Sequence, residues 1–251
     1  MKLRIAVLGA MLFTVASITT SSLKASPMQI FDIENYLTLD SVSLYEVTDG
    51  GEMLVSRQPV PAPTLVPSSS DAKPIPTGGG GGIGDIITIG ERIWRIIEKN
   101  KPVVKQKYGA ISAVPSGVKA WDELEGWSEP VIKTFKLLYT NKFNQNVVEF
   151  TYRVAYTYGG SYQGKGKYLS RVEIDHSMLN VAWGYKFTAG GEAMNVTNVG
   201  TKDEPLAAME VRLDWGVDTV IKHMDQSVRY YVRGDGLLKD ITDGNIAAKL
   251  R

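Results

Sequence analysis

From residue 148 to residue 158 the chain alternates strictly: Val148, Phe150, Tyr152, Val154, Tyr156 and Tyr158 are apolar or aromatic, and Glu149, Thr151, Arg153, Ala155 and Thr157 lie between them. A side-chain period of two sends neighbours to opposite faces of an extended backbone, so the stretch has one face for a core and one for water. A helix of the same residues would scatter both sets around its circumference. The pattern recurs at 179–187, with Leu179, Val181, Trp183, Tyr185 and Phe187 on the apolar face, and at 209–217, with Met209, Val211, Leu213, Trp215 and Val217. Shorter runs at 131–139, 167–175, 193–199 and 228–233 read the same way. Glycines punctuate these runs at Gly159, Gly160, Gly164 and Gly166, at Gly190 and Gly191, and at Gly200, where they supply the positive backbone dihedrals of tight turns. Strands that are each wet on one face are buried by pairing two antiparallel sheets. The expected fold is therefore mainly β, an antiparallel β-sandwich.

One segment reads differently. In residues 85–100 the apolar Ile86, Ile87, Ile89, Ile93, Trp94, Ile96 and Ile97 occupy about half of a helical wheel, and Glu91, Arg92, Arg95 and Glu98 share the other half. Asp85 suits an N-cap, and Asn100 with Pro102 suits a stop. The spacing predicts one amphipathic helix packed at the edge of the sandwich. Ahead of it, residues 59–82 hold six prolines and then the five glycines Gly78 to Gly82, a stiff spacer followed by a loose joint, which reads as a linker. A glycine run satisfies any glycine spacing, so the formal dinucleotide fingerprint at Gly79, Gly81 and Gly84 has no force. Residues 26–58 form a short N-terminal region with possible strands, and residues 83–251 carry the helix and the sandwich.

Residues 1–25 have the order of an export signal. Lys2 and Arg4 precede an apolar run over residues 5–18, and Ser26 and Pro27 follow Ala25. The run is shorter than the roughly 20 residues of a spanning helix, so cleavage after Ala25 is the expectation, and with it a periplasmic, cell-surface or secreted location. Loss of Lys2, Arg4 and Lys24 turns 28 basic and 27 acidic side chains into 25 and 27. A near-neutral chain lacks the electrostatic footprint of a nucleic-acid binder. With no cysteine, an exported chain holds itself together by its core and carries no cysteine-linked lipid.

The residues that bear chemistry have unremarkable explanations. Asp175, His176 and Ser177 are the residue types of a hydrolytic triad, but neighbours on a strand face opposite ways. Asp235, Asp240 and Asp243 lie in a glycine-rich stretch that turn formation explains without a metal. Arg233, Gly234 and Asp235 spell a cell-adhesion tripeptide, a match short enough to arise by chance. No catalytic residue, metal ligand or cofactor is assigned. The candidate binding residues are Tyr158, Tyr162 and Tyr168, which flank the Gly159–Gly160 pair; a tyrosine cluster at one end of the sheets offers a stacking surface for sugar or peptide. The alternative keeps Tyr156 and Tyr158 on the inward face and leaves only Tyr162 exposed, with Trp183 and Trp215 as core residues. Ile86, Ile89, Ile93, Trp94 and Ile97 form the helix's apolar face, which either packs on the sandwich or meets a membrane.

The functional expectation is an exported bacterial binding module without covalent chemistry, whose partner is a protein or glycan of the cell envelope. Two other readings remain: a membrane-active, pore-forming-like protein that uses the helix, and an exported hydrolase that uses carboxylates such as Asp214 or Glu173.

Overall fold

The computed structural model describes residues 32–59, 86–90, 92–98 and 109–242. The export segment, nearly all of the proline- and glycine-rich stretch, the helix ends at Asp85 and Asn100, and Asp243 lie outside them. A single turn of helix, α1 (Ile33–Leu37), leads into the hairpin β1 (Leu39–Thr48) and β2 (Gly51–Pro59). After it come β3 (Ile86–Gly90), β4 (Ile93–Glu98), β5 (Ile111–Pro115), a 3-10 turn (Trp121–Glu123) and β6 (Leu124–Glu125). The remaining chain is a meander: β7 (Val131–Asn141), β8 (Asn146–Tyr162), β9 (Lys165–Val181), β10 (Lys186–Asn198), β11 (Ala207–Asp218), β12 (His223–Arg233) and β13 (Leu238–Asp240).

These strands make two antiparallel sheets, one ordered β2-β1-β7-β8-β9-β5-β3 with β6 beside β8, the other β13-β12-β11-β10-β4. The inward faces share one apolar core, in a sandwich-like arrangement. Phe150, Tyr152 and Val154 of β8 are wholly buried, as are Val211 and Leu213 of β11, so the two best alternating stretches face their apolar sides inward as the period requires. Aromatic rings bridge the sheets: Phe150 meets Phe187 at 4.8 Å between centroids, and Phe135 stacks on Tyr152 and Tyr230 at 5.5 and 5.2 Å. Buried hydroxyls find partners across the same gap. Tyr152 and Tyr230 share a 2.7 Å hydrogen bond, and the Trp215 indole N–H donates to the Tyr139 hydroxyl at 2.9 Å. Burial pushes the phenols of Tyr139, Tyr152 and Tyr230 well up, so all three stay neutral and keep these bonds through the ordinary pH range.

Several sequence expectations are corrected. In place of the expected helix, residues 86–90 and 93–98 are two strands, β3 and β4, that join different sheets: β3 pairs with β5 in the larger and β4 with β10 in the smaller. Two local features explain it. β-Branched isoleucines fit a pleated surface better than a helix, and Gly90 takes φ +121° with the Ala110 carbonyl where a side chain would be, a conformation that ends any helix midway. The second correction concerns 179–187, which is not one strand. β9 stops at Val181, Gly184 takes φ +83°, and the chain turns from the larger sheet into the smaller, with Trp183 at the tip. Gly190 and Gly191, read as a turn, lie within β10, and Gly159 and Gly160 lie within β8, where the pairing with β9 slips by a residue several times.

Residues 26–58 supply more than an appendage. β1 runs between β2 and β7 in the larger sheet, with Val42 opposite Tyr139 and Leu44 opposite Leu137. The described ends of the proline- and glycine-rich connection, at β2 and β3, lie on opposite edges of that sheet.

Candidate functional site

Strand direction divides the turns between two ends. The β8–β9, β10–β11 and β12–β13 connections meet at one end, the β1–β2 turn points the same way but stops level with the start of β7, and the β7–β8, β9–β10 and β11–β12 turns meet at the other end, together with α1.

The first end contains the tyrosines singled out from sequence. Tyr168 is 0% exposed and belongs to the core, so it is withdrawn as a binding residue. Its neighbours show why: Gly166 leaves room for its ring, and a Cβ there would sit 2.9 Å from it. Tyr158 and Tyr162 are half-buried against the core. The segment that carries the 3-10 turn and β6 folds over them. Leu124 pairs with Tyr162, the Ser128 N–H donates to the Tyr158 carbonyl at 2.9 Å, and the Trp127 indole lies on Gly160 in space a side chain would need. Gly236 lies against the Tyr158 ring, where an added Cβ would come within 2.8 Å. What stacking surface the sequence promised here is largely taken up by the protein's own Trp127.

Other sequence candidates are dispersed. Asp175 is held by the Arg153 guanidinium, with Nε at 2.9 Å, while His176 lies against the Phe150 ring and burial lowers its imidazole. Asp235 is gripped bidentately by Arg233 at 2.8 and 2.7 Å, and Gly234 is buried between them, so the tripeptide is not displayed as an extended ligand. Partial burial raises the Asp214 carboxyl, Arg212 draws it back, and Arg212 also bonds Glu192 at 2.8 Å on the outward face of the smaller sheet. Glu173 lies on the larger sheet beside Arg171 at 3.4 Å. Among the described residues no group of three or more His, Asp or Glu is arranged to hold a metal ion. Of the isoleucine face, Ile86 packs against the core, Ile89 is exposed, and Ile93, Trp94 and Ile97 belong to strand β4.

The second end has a construction that sequence reading missed. Asn141, fully buried, ties three pieces together: its amide N–H donates to the Tyr36 carbonyl at 3.1 Å, and its Oδ1 accepts from the N–H groups of Phe143 and Gln145, each at 3.0 Å. The Tyr36 hydroxyl donates to the Trp183 carbonyl at 3.0 Å, the Tyr185 hydroxyl donates to the Tyr36 carbonyl, and the rings of Trp183 and Tyr185 flank that of Tyr36 at 6.3 and 5.9 Å. The β11–β12 turn is closed by Thr219, whose N–H donates to the Lys222 carbonyl at 2.7 Å and whose hydroxyl accepts from the Lys222 N–H at 3.0 Å. The β7–β8 and β9–β10 turns and α1 thus form one braced surface, and the β11–β12 turn beside it is braced within itself. At the tips stand Phe143, Trp183, Val220 and Ile221, with 45, 75, 85 and 54% of their surface exposed. The signals for these turns were present in Asn141 and Asn144, and in Gly184, but alternation across Trp183 imitated a strand.

Beside the third tip, His223 lies between two acids. Asp218 bonds Nδ1 and Asp225 bonds Nε2 at 2.8 Å, and together they raise the imidazole above its ordinary value. A raised folded-state pKa gives stability that is fully present below about 6.5 and lost as pH rises through the folded value. The group is mostly exposed, so screening keeps the effect small. An NMR titration of the His223 ring should give a midpoint above 6.5, and Asp218→Asn should lower it. Thermal midpoints should drift down by no more than about 4 °C as pH rises through that range, and His223→Ala should remove the drift; an unchanged midpoint in Asp218→Asn would rule out the bridge.

No protein-family model matches the chain, and no curated protein or solved structure is significantly similar to it.

Proposed function

We propose that the chain is an exported binding module of the bacterial cell envelope, without covalent chemistry of its own, and that it meets its partner through the end formed by α1 and the β7–β8, β9–β10 and β11–β12 turns. The observation that carries this reading is the braced set of apolar turn tips. Loops positioned by a rigid sheet scaffold are where binding surfaces are commonly built, and holding a tip rigid before contact lowers the entropy cost of binding. Here the bracing comes from Asn141, Tyr36 and Thr219. Export is supported by the signal-like order of residues 1–25.

The test replaces Trp183 or, in a control, Trp121 with a photo-reactive amino acid and irradiates living cells. Adducts with an envelope component should form from the Trp183 site, far fewer should form from the Trp121 site, and the recovered chain should begin near Ser26. A chain found unprocessed in the cytoplasm, or equal yields from both sites, would overturn the reading.

A further inference from the structure

An aspartate followed by a glycine is chemically unstable wherever the chain leaves the pair free. The glycine backbone nitrogen attacks Cγ of the protonated aspartate, the nitrogen gives up its proton, and the carboxyl OH leaves with it as water, which closes a succinimide ring. Water then adds to either ring carbonyl. One product is aspartate; the other is isoaspartate, in which the main chain runs through the side-chain carbonyl and is one methylene longer. Glycine permits the attack because no Cβ crowds its nitrogen. The chain holds three such pairs, at 49–50, 235–236 and 243–244, and the last lies outside the described residues.

We infer that Asp49 is a site of spontaneous isomerisation to isoaspartate, and that Arg233 protects Asp235 from the same reaction. Both aspartates stand at exposed turns, so exposure does not separate them. Their surroundings do. Among the described residues nothing bonds the Asp49 carboxyl group. A Cβ added at Gly51 would meet nothing within 4 Å, and one at Gly50 would meet only the Thr48 Oγ1 at 3.7 Å. This turn has space to bend as the ring closes.

Asp235 is held on both sides of the reaction. The Arg233 guanidinium takes its two carboxyl oxygens at 2.8 and 2.7 Å, and the Leu237 N–H donates to Oδ1 at 3.4 Å. A carboxylate in a two-point fork has to break both bonds before its carbon reaches the nitrogen. The Arg233 guanidinium also keeps the Asp235 carboxyl below its ordinary value, so the neutral acid that cyclises is scarce. On the other side, the Gly236 N–H donates to the Arg233 carbonyl at 2.9 Å, and Gly236, at φ +95°, lies against the Tyr158 ring. The arginine and aspartate of the tripeptide thus lock each other, and the lock has a chemical use.

Isomerisation at Asp49 acts on the tip of the β1–β2 hairpin. Thr48 and Gly51 form its closing pair, and the Thr48 hydroxyl donates to the Gly51 carbonyl at 3.2 Å. An extra methylene between Asp49 and Gly50 lengthens the loop that these groups close. The effect stays local, because the pairing of β1 with β7 reaches only to Val47.

The experiment keeps the full chain at neutral pH and body temperature for several weeks and then digests it. Isoaspartyl and aspartyl forms of each peptide are separated by reversed-phase chromatography and told apart by electron-transfer fragmentation. The Asp49 peptide should turn largely to isoaspartate while the Asp235 peptide stays aspartyl. Asp49→Glu should lose the signal, since glutamate has to close a larger ring. Arg233→Ala should turn on isomerisation at Asp235 and leave Asp49 as it was, and Arg233→Lys, which keeps the charge without the fork, should fall between. Thermal melting shows that each variant is folded. In denaturant both pairs should react alike, which traces the contrast to the fold. A parent chain without isoaspartate at Asp49, equal conversion of the two pairs in the folded parent, or an inert Asp235 in folded Arg233→Ala overturns the proposal.

Discussion

A chain that begins at Ile83 should give no cooperative unfolding transition. Such a chain lacks α1, β1 and β2, and the loss strips one side of the larger sheet down to β7, whose neighbour is β1. Leu37, Leu39, Val42 and Leu44 are all nearly or wholly inaccessible to water. Burying such side chains contributes about 1.5–3 kcal/mol each, so their removal costs about 6–12 kcal/mol. A domain of ordinary stability has only about 5–15 kcal/mol in total. The cut also exposes an unpaired edge on β7 and uncovers Leu137 and Tyr139, which β1 shields through Leu44 and Val42; such an edge is a template for aggregation. At the turn end, Asn141 and Tyr185 lose the Tyr36 carbonyl that both bind. Urea titration followed by tryptophan emission gives the comparison. The chain from Ser26 should melt in one sharp step and the shorter chain in a broad slope or not at all. A sharp step at an unchanged midpoint in the shorter chain would show that the β1–β2 hairpin is ornamental.

The strands at the centre of the fold were legible because their information is local. Val148 to Tyr158 and Met209 to Val217 carry a period of two, and both have their apolar faces in the core. Trp183 was misread by the same rule. The period continues across Val181, Trp183 and Tyr185, and only the positive φ of Gly184 reveals that the chain leaves one sheet for the other there. Residues 86–98 failed for a different reason. Their charges are spaced as on a helix, and the preference of isoleucine for extended backbone is modest residue by residue; pairing with β5 and β10, distant in sequence, decides the outcome. Tyr168 depends on its place after the slips between β8 and β9, which no period shows. The apolar turn end was invisible for a topological reason. Phe143, Trp183 and Val220 become neighbours only once strand order sends three turns the same way, and that order is set by contacts between elements, not by any one of them.

Gly234→Ala should be strongly destabilising although it adds a single methyl group. Gly234 has no unusual backbone angle, so its role is spatial: a Cβ would overlap the carbonyl group of Lys167. Neither side of that clash can yield freely. The Gly234 N–H donates to the Ala207 carbonyl at 2.7 Å, and its own carbonyl accepts from the Gly159 N–H at 2.9 Å. Lys167 donates its N–H to the Pro205 carbonyl at 2.8 Å and makes a parallel bridge to Leu206. These contacts join β8 and β9 of the larger sheet to β11 and β12 of the smaller, so a shift that admits the methyl group opens the seam between sheets. Overpacking against fixed backbone costs about 3 kcal/mol or more, which for a domain of this size lowers the thermal midpoint by more than about 6 °C. Gly164→Ala is the informative control. Gly164 takes φ +74° in a turn with nothing within 4 Å of the added atom, so only the backbone conformation resists, at about 1 kcal/mol. Arg233→Ala, which removes one partner of a solvent-screened ion pair, should leave stability nearly unchanged. Differential scanning calorimetry ranks the three variants. Gly234→Ala melting within 2 °C of the parent would mean that the seam is looser than the contacts at Lys167 require. A large loss there with little change for Arg233→Ala would identify the tripeptide's glycine as a spacer between sheets.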